Sequence, residues 1–247
     1  MKPLPDTKLE LNPFLVAAAD RIRDWRSKFA GLAPLALEPE MASIIGSLEG
    51  EQVIIHNELH FATGLRKLHL EVAAIGSDLQ ILHCIFFPDP KFNIPIFGTD
   101  IVVASLGITA AIVDLSPSAS ALPKEVLEKL EKIDIPNFNC VRELPEWGNI
   151  FSPYVQFIRP NSKLEESFFL DLIDDYLNVL FSVLARTSPE ESYLASTIER
   201  YQGQINYCNQ QKLNDKTKAV LSKAFSPLWA ERYIGKLLFD TPPPLSN

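Results

Sequence analysis

Cysteine is scarce and unpatterned in this 247-residue chain, with three residues, Cys84, Cys140 and Cys208, at long spacings. An odd count without short spacing excludes a disulfide framework and a zinc knuckle, and leaves reduced thiols of the kind a cytoplasmic protein carries. Glycine is sparse too, 10 residues against 19 prolines, so turns are plentiful but flexible Gly-rich linkers are missing. Positive charge is not in excess. A formal net charge of -8 argues against general affinity for nucleic acid or for anionic membranes, while leaving room for a local basic patch. Long apolar runs are absent as well: the longest uncharged stretch, Ile101 to Val113, is bounded by Asp100 and Asp114 and is too short to span a bilayer. Met1 to Glu10 shows no basic segment followed by an apolar one, so no signal peptide is expected. Neither Gly-x-Gly-x-x-Gly nor Gly-x-Ser-x-Gly occurs, and nothing supports a bound dinucleotide or a serine nucleophile.

What is present is an ordinary globular mixture, 47% hydrophobic and 22% charged, sufficient for a sizeable core. No composition shift or internal repeat divides it, so residues 1–247 read as a single domain, with the proline-rich tail 241–247 expected to be disordered. Asn12-Pro13 opens a helix whose apolar stripe is Leu15, Ala18, Ile22, Trp25 and Phe29, and Gly31 stops it. Ile44-Ile45, closed by Gly46 and Gly50, is a modest strand signal. Strands are then expected at 51–61, 65–75, 79–87, 99–105 and 108–115, separated by short turns that make consecutive strands antiparallel neighbours. The second half reads as helical. Ser162 with Glu165 forms a capping box, Ser188-Pro189 with Glu191 opens a further helix, and Ser226-Pro227 opens a last one carrying Trp229, Tyr233 and Leu237. A central antiparallel sheet with helices before and after it makes an α+β fold, a three-layer α/β/α sandwich.

A few ionisable residues sit where strand alternation expects apolar ones. His83 shares a face with Ile81, Ile85 and Phe87, a setting that also suits a buried imidazole hydrogen-bonded within the sheet. Asp100 heads Ile101-Val102-Val103 and reads equally as a strand-end or turn carboxylate. Glu71 lies with Lys67 and His69 on what reads as the solvated face of its strand. The turn that follows decides its neighbours. A two-residue loop, Gly76-Ser77, sends Glu71 and His83 to opposite faces, whereas a three-residue loop, Gly76-Ser77-Asp78, sets them directly opposite each other on one face. In the second register a carboxylate and an imidazole share a site suited to acid–base work. His56 and His60 are four apart, but on a strand and with no third ligand, so they read as surface histidines rather than a metal site.

Several stretches resemble the ferredoxin-dependent bilin reductases. They are Arg66-Lys67-Leu68-His69-Leu70-Glu71, Leu79-Gln80-Ile81-Leu82-His83-Cys84, Pro95 to Val102, Ala110 to Pro117, Arg142 to Gly148, Phe157-Ile158-Arg159-Pro160 and Asn214-Asp215-Lys216-Thr217. The resemblance implies a sandwich that holds biliverdin IXα between its sheet and its C-terminal helices. It also implies electrons from an external [2Fe–2S] ferredoxin, with no flavin, metal or other cofactor bound to the chain. Glu71, His83 and Asp100 together look like the branch that forms phycocyanobilin in a four-electron reduction. By that analogy Glu71 protonates the D-ring vinyl group, while His83 and Asp100 bind the lactam and pyrrole groups and supply protons. Arg142 and Lys216 match positions that hold the propionates, and His69, Asn214 and Asp215 fall in the matched substrate-binding stretches. Without the family, Arg142 and Lys216 read as surface ion-pair residues. The resemblance leaves a monomer as the expectation, and a sister reductase of other regiospecificity or a non-catalytic bilin-binding protein as alternatives. Ferredoxins of this kind are acidic, so docking on a net-negative chain needs a local basic surface, expected among Lys212, Lys216, Lys218, Lys223, Arg232 and Lys236.

Overall fold

A computed structural model describes residues 11–245. Met1–Glu10, read above as free of a signal peptide, and residues 246–247 of the tail lie outside the described residues. Helix α1 (Pro13–Ser27) starts as expected, with the Asn12 side chain accepting from the Phe14 amide and Pro13 in the first turn. After the two-residue strand β1 (Ala33–Pro34) and the one-turn helix α2 (Pro39–Ala42) come six long strands. They are β2 (Ser43–Leu48), β3 (Glu51–Ala62), β4 (Leu65–Ile75), β5 (Leu79–Pro88), β6 (Ile96–Ala104) and β7 (Gly107–Ser116). Helix α3 (Lys124–Leu130) and a 3₁₀ turn (Gly148–Ile150) lead to the short strand β8 (Gln156–Ile158). The remainder is helical: α4 (Lys163–Leu184), α5 (Ala195–Gln211), α6 (Asp215–Ala224) and α7 (Pro227–Tyr233), which runs into a π-helical turn (Ile234–Leu238).

All eight strands form one antiparallel sheet in the order β1-β3-β4-β5-β6-β7-β8, with β2 also pairing β3. The tight connections have residues at positive φ where needed. Gly76, at φ +54, opens the three-residue loop between Ile75 and Leu79, and a Cβ there would run into the Glu51 carboxylate. Even-numbered side chains of β4 and β5, among them Leu68, Leu70, Leu82, Cys84 and Phe86, pack under α1, α3 and α4, where Phe169, Leu172, Ile173 and Leu177 are buried. Each such side chain contributes about 1.5–3 kcal/mol by leaving water. The opposite face, with Ile55, Ala73, Ile85, Phe87 and Ile96, lies under α5, α6, α7 and the π-helical turn. The protein is thus a three-layer α/β/α sandwich. No helix among the described residues is long and apolar enough to cross a membrane.

Three local expectations need correction. Strand β6 begins at Ile96, so Asp100 is the fifth of its nine residues and not a strand-end carboxylate. No helix opens at Ser188-Pro189. Glu190 is drawn instead to Arg200 (2.8 Å) while its amide donates to the Lys91 carbonyl, and α5 starts at Ala195. Ser162 caps α4, but Glu165 does not reach back to it; its carboxylate accepts from the amides of Asn139 and Asn161 and so ties a distant loop to the helix start. In the tail, residues 241–245 form neither helix nor strand, and Pro242 is buried.

Beyond the sheet edge, one buried carboxylate secures the loop before β8. Asp114 on β7 accepts from Ser116 Oγ (2.6 Å), the Ser152 amide (2.9 Å) and Ser152 Oγ (2.5 Å). Burial pushes its pKa up to about 6, against the opposing pull of these bonds. Because the folded state binds this proton more tightly than the unfolded chain does, its contribution to stability is complete below the unfolded carboxyl range and is lost as pH rises through about 6. Urea unfolding of Asp114→Asn should therefore lack roughly 2–3 kcal/mol of the destabilisation that the parent chain shows between about pH 4 and about pH 8. Parallel pH profiles for the two chains would contradict this account.

Candidate active site

Antiparallel pairing places directly opposed residues on the same face of a sheet. The register runs Asn57↔Glu71, Glu71↔His83 and His83↔Asp100, so four polar residues from β3, β4, β5 and β6 stand side by side on one rung. The hairpin takes the three-residue loop, the register in which Glu71 and His83 meet. Their common face is the one covered by α7 and the π-helical turn. The solvated reading of the Lys67–His69–Glu71 face does not hold, since these residues are only 2%, 0% and 7% exposed. His83 is 8% exposed, whereas the Asp100 side chain, at 43%, is open to solvent.

The contacts are short and specific. His83 Nδ1 lies 2.6 Å from Asp100 Oδ1. The Tyr233 hydroxyl of α7 lies 2.6 Å from Glu71 Oε2 and 2.9 Å from Asn57 Oδ1. His69 Nε2 is 2.8 Å from the same Asn57 oxygen, and its ring stands 5.8 Å from that of His83. Two buried ring nitrogens, His69 Nδ1 and His83 Nε2, have no hydrogen-bond partner among the described residues. Buried polar atoms are nearly always paired, and unpaired ones inside an ionisable cluster are suited to binding a polar ligand.

Burial and charge set the proton affinities. Glu71 is held above the ordinary carboxyl range by burial, which outweighs the His83 charge and the Tyr233 contact. Burial alone would lower His83, but Asp100, by charge and hydrogen bond, and Glu71 together raise it. His69 goes the other way, pushed well down by burial and by the positive charges of Lys67 and His83. The rung thus presents two groups that retain protons, and His69, two residues along the same strand face, gives its proton up readily.

Lys67 explains how the C-terminal segment is secured over this face. Its ammonium donates to the Leu237 carbonyl (2.7 Å) and pairs with Asp240, which also binds Arg66 (2.8 Å). Burial lowers the Lys67 pKa to about 8 despite the Asp240 charge. The segment so fixed brings the Phe239 ring edge-on to His83 at 5.5 Å.

The remaining sequence-derived candidates lie elsewhere in the fold. Arg142 is exposed, donates to the Thr109 carbonyl (2.6 Å) and stacks over Phe157. Asn214 caps α6 through the Lys216 amide (3.2 Å), with Asp215 and Lys216 exposed in its first turn. Of the substrate-binding candidates, only His69 makes contact with the rung. Asn57, Tyr233 and Lys67 were not singled out from the sequence. Lys67 could have been, as a cation on a strand face that proves to be buried. Among the described residues no group of three or more His, Cys, Asp or Glu is placed to hold a metal ion.

Comparison with known proteins agrees with this architecture. The chain is 54% identical over 244 residues to the phycocyanobilin:ferredoxin oxidoreductase of Prochlorococcus marinus (strain MIT 9313), covering 98% of this chain and 92% of that one. It is 52% identical over 234 residues to the enzyme of the same name from Synechococcus sp. (strain CC9902), covering 95% of each. Tomato phytochromobilin synthase, solved in complex with biliverdin, shares the fold with a TM-score of 0.73 at 18% identity, over 93% of this chain and 83% of that one. A family profile described as ferredoxin-dependent bilin reductase matches residues 19–240, and the chain belongs to that family.

Proposed function

We propose that this protein reduces biliverdin IXα to phycocyanobilin by four electrons from an external [2Fe–2S] ferredoxin, as a cytoplasmic monomer with no bound cofactor of its own. The observation that carries the reading is the Glu71–His83–Asp100 rung, three adjacent ionisable groups on the sheet face covered by the C-terminal helices. A conjugated bilin that accepts one electron becomes strongly basic, so each electron must be matched by a proton. Glu71 and His83 hold protons at pH values where exposed carboxyls and imidazoles begin to release them. Glu71 protonates the D-ring vinyl group, and the His83–Asp100 pair binds the lactam and pyrrole groups and delivers the other protons. Asp100 accepts from His83 Nδ1 and stabilises the imidazolium, which leaves Nε2, buried and without a protein partner, as the nitrogen that donates. Arg142 and Lys216 hold the propionates as charge partners, Asn214 and Asp215 at the start of α6 belong to the substrate site, and His69 contributes its free ring nitrogen.

The decisive test is anaerobic incubation with biliverdin IXα and reduced ferredoxin. Phycocyanobilin should be the chromatographic product, and a bound biliverdin spectrum that does not change would leave only a bilin-binding protein. Glu71→Gln should halt the reaction at a product that retains the D-ring vinyl group. His83→Gln should slow turnover by about 100-fold or more, the usual scale of a lost general acid. Both groups act in their protonated forms and both have raised pKa values, so turnover should be flat at low pH and decline as pH rises through them. A turnover profile that climbs in that direction would remove them as proton donors.

Ferredoxin docking rests on the basic surface of the C-terminal helices. Lys218, Lys223 and Arg232 are engaged with Glu231, Glu49 and Glu38, whereas Lys212, Lys216 and Lys236 have no acidic partner among the described residues. Replacing Lys212 and Lys236 together by Gln should raise the apparent KM for ferredoxin several-fold at low salt, with kcat preserved. Equal KM values for parent and variant would place the docking surface elsewhere.

A further inference from the structure

Asn57 occupies the same rung as the ionisable residues and faces Glu71 directly. It is buried, and both ends of its amide are engaged. Nδ2 donates to the Met41 carbonyl at 2.7 Å. A carbonyl can only accept, so this bond fixes the orientation of the amide; reversal would set two acceptor oxygens against each other. Oδ1 must then point towards His69 Nε2 at 2.8 Å and the Tyr233 hydroxyl at 2.9 Å. An amide oxygen has lone pairs and no proton, so both neighbours donate to it. His69 therefore carries its proton on Nε2 and keeps Nδ1, buried and without a protein partner, as an acceptor.

The Tyr233 hydroxyl has one proton. Committed to Asn57, it offers Glu71 Oε2 only lone pairs across 2.6 Å. Two oxygens come this close when a proton lies between them, and the remaining source is Glu71 itself. We propose that Asn57 is a positioning residue that keeps Glu71 protonated, by accepting the hydrogen bond of the Tyr233 hydroxyl and so making Tyr233 an acceptor for Glu71. The chain from the Met41 carbonyl through Asn57 and Tyr233 to Glu71 has one allowed direction at every link. This deepens the function proposed above and rests on it for the use of the Glu71 proton. The orientation of the hydrogen bonds does not depend on turnover.

The ionisable groups around Glu71 are His83 on β5 with Asp100 beyond it on β6, Lys67 and His69 on β4, and Tyr233 on α7. Burial and Asp100 favour the neutral acid, and His83 favours the carboxylate. A Tyr233 proton aimed at Glu71 would also favour the carboxylate. Aimed at Asn57, it leaves burial unopposed from that side.

The test is an infrared titration of the full chain without substrate, following the carboxylic acid C=O band that Glu71→Gln removes. Asn57→Leu frees the Tyr233 proton to turn to Glu71, and the midpoint should fall by about one pH unit or more, a tenfold loss of proton affinity. In that background Tyr233→Phe should restore the midpoint, while Tyr233→Phe alone should not raise it. A midpoint unmoved or raised by Asn57→Leu overturns the proposal. So does a rise of about one unit in Tyr233→Phe alone, which would show that Tyr233 donates to Glu71 throughout. Should Asn57→Leu fail to fold, the single Tyr233→Phe titration decides by the same criterion. Failure of the parent chain to reduce biliverdin would defeat the functional reading and leave this result standing.

Discussion

The register of one hairpin governs the chemistry available on this sheet. Side chains on a strand alternate faces with a period of two, so shifting β4 against β5 by one residue would send Glu71 to one layer of the sandwich and His83 to the other. The three-residue loop at Gly76–Asp78 sets the parity, and the pairing of β5 with β6 extends it to Asp100. The apolar pattern enforces the same parity independently. Leu68, Leu70, Leu82, Cys84 and Phe86 fill the core under α1 and α4, and a slipped register would replace them there with Lys67, His69, Glu71 and His83. Stability and function therefore select the same alignment.

Placing four polar side chains on a buried rung is costly unless each finds a partner. The site meets this requirement unevenly. Asp100 stays in contact with water and stabilises the His83 imidazolium, so the most strongly charged pair is also the least desolvated. Glu71, deeper in, is the acid that burial favours as neutral, and its hydrogen bond is to a neutral group, Tyr233, which is bonded in turn to Asn57. The positive charge of Lys67 is matched by Asp240 and by backbone carbonyls at the end of the π-helical turn. Its presence helps explain why His69, two residues along the same strand face, is poorly disposed to a proton.

Much of the fold could be read from the sequence, because strand periodicity and turn residues are local signals. The strands from β3 to β7, the α1 cap and the three layers all follow from them. Asp100 reads as a strand-end residue because Pro95 and Gly98 disguise the start of β6, whose first residues pair with β7 at Ser116 and Leu115. His83 stood out as an imidazole among Ile81, Ile85 and Phe87. Glu71 did not, since Lys67, His69 and Glu71 form the alternation of a solvated face, and only the C-terminal layer buries it. Tyr233 is 162 residues from Glu71 and Asp240 is 173 from Lys67, and no pattern within a strand or helix encodes such pairings. The family resemblance supplied roles for Arg142 and Lys216, whose exposed positions gave no physical reason to choose them.

The same long-range pairings tie completion of the site to the last helical segment. The sheet brings Asn57, Glu71, His83 and Asp100 together on its own, but in the sheet alone that rung would face water. Tyr233, Phe239 and Asp240 arrive from the C-terminal segment, and with them the burial that raises the Glu71 pKa. Arg66 and Lys67 hold the segment through Asp240, and they neighbour His69 and Glu71 on the same strand. Strand β4 thus carries both the acid and the anchor for its cover, so the strength of the acid and the docking of the cover depend on each other. An ionisable group made into a proton donor by burial is only as dependable as the element that buries it. Here that element is pinned four and five residues from the group itself.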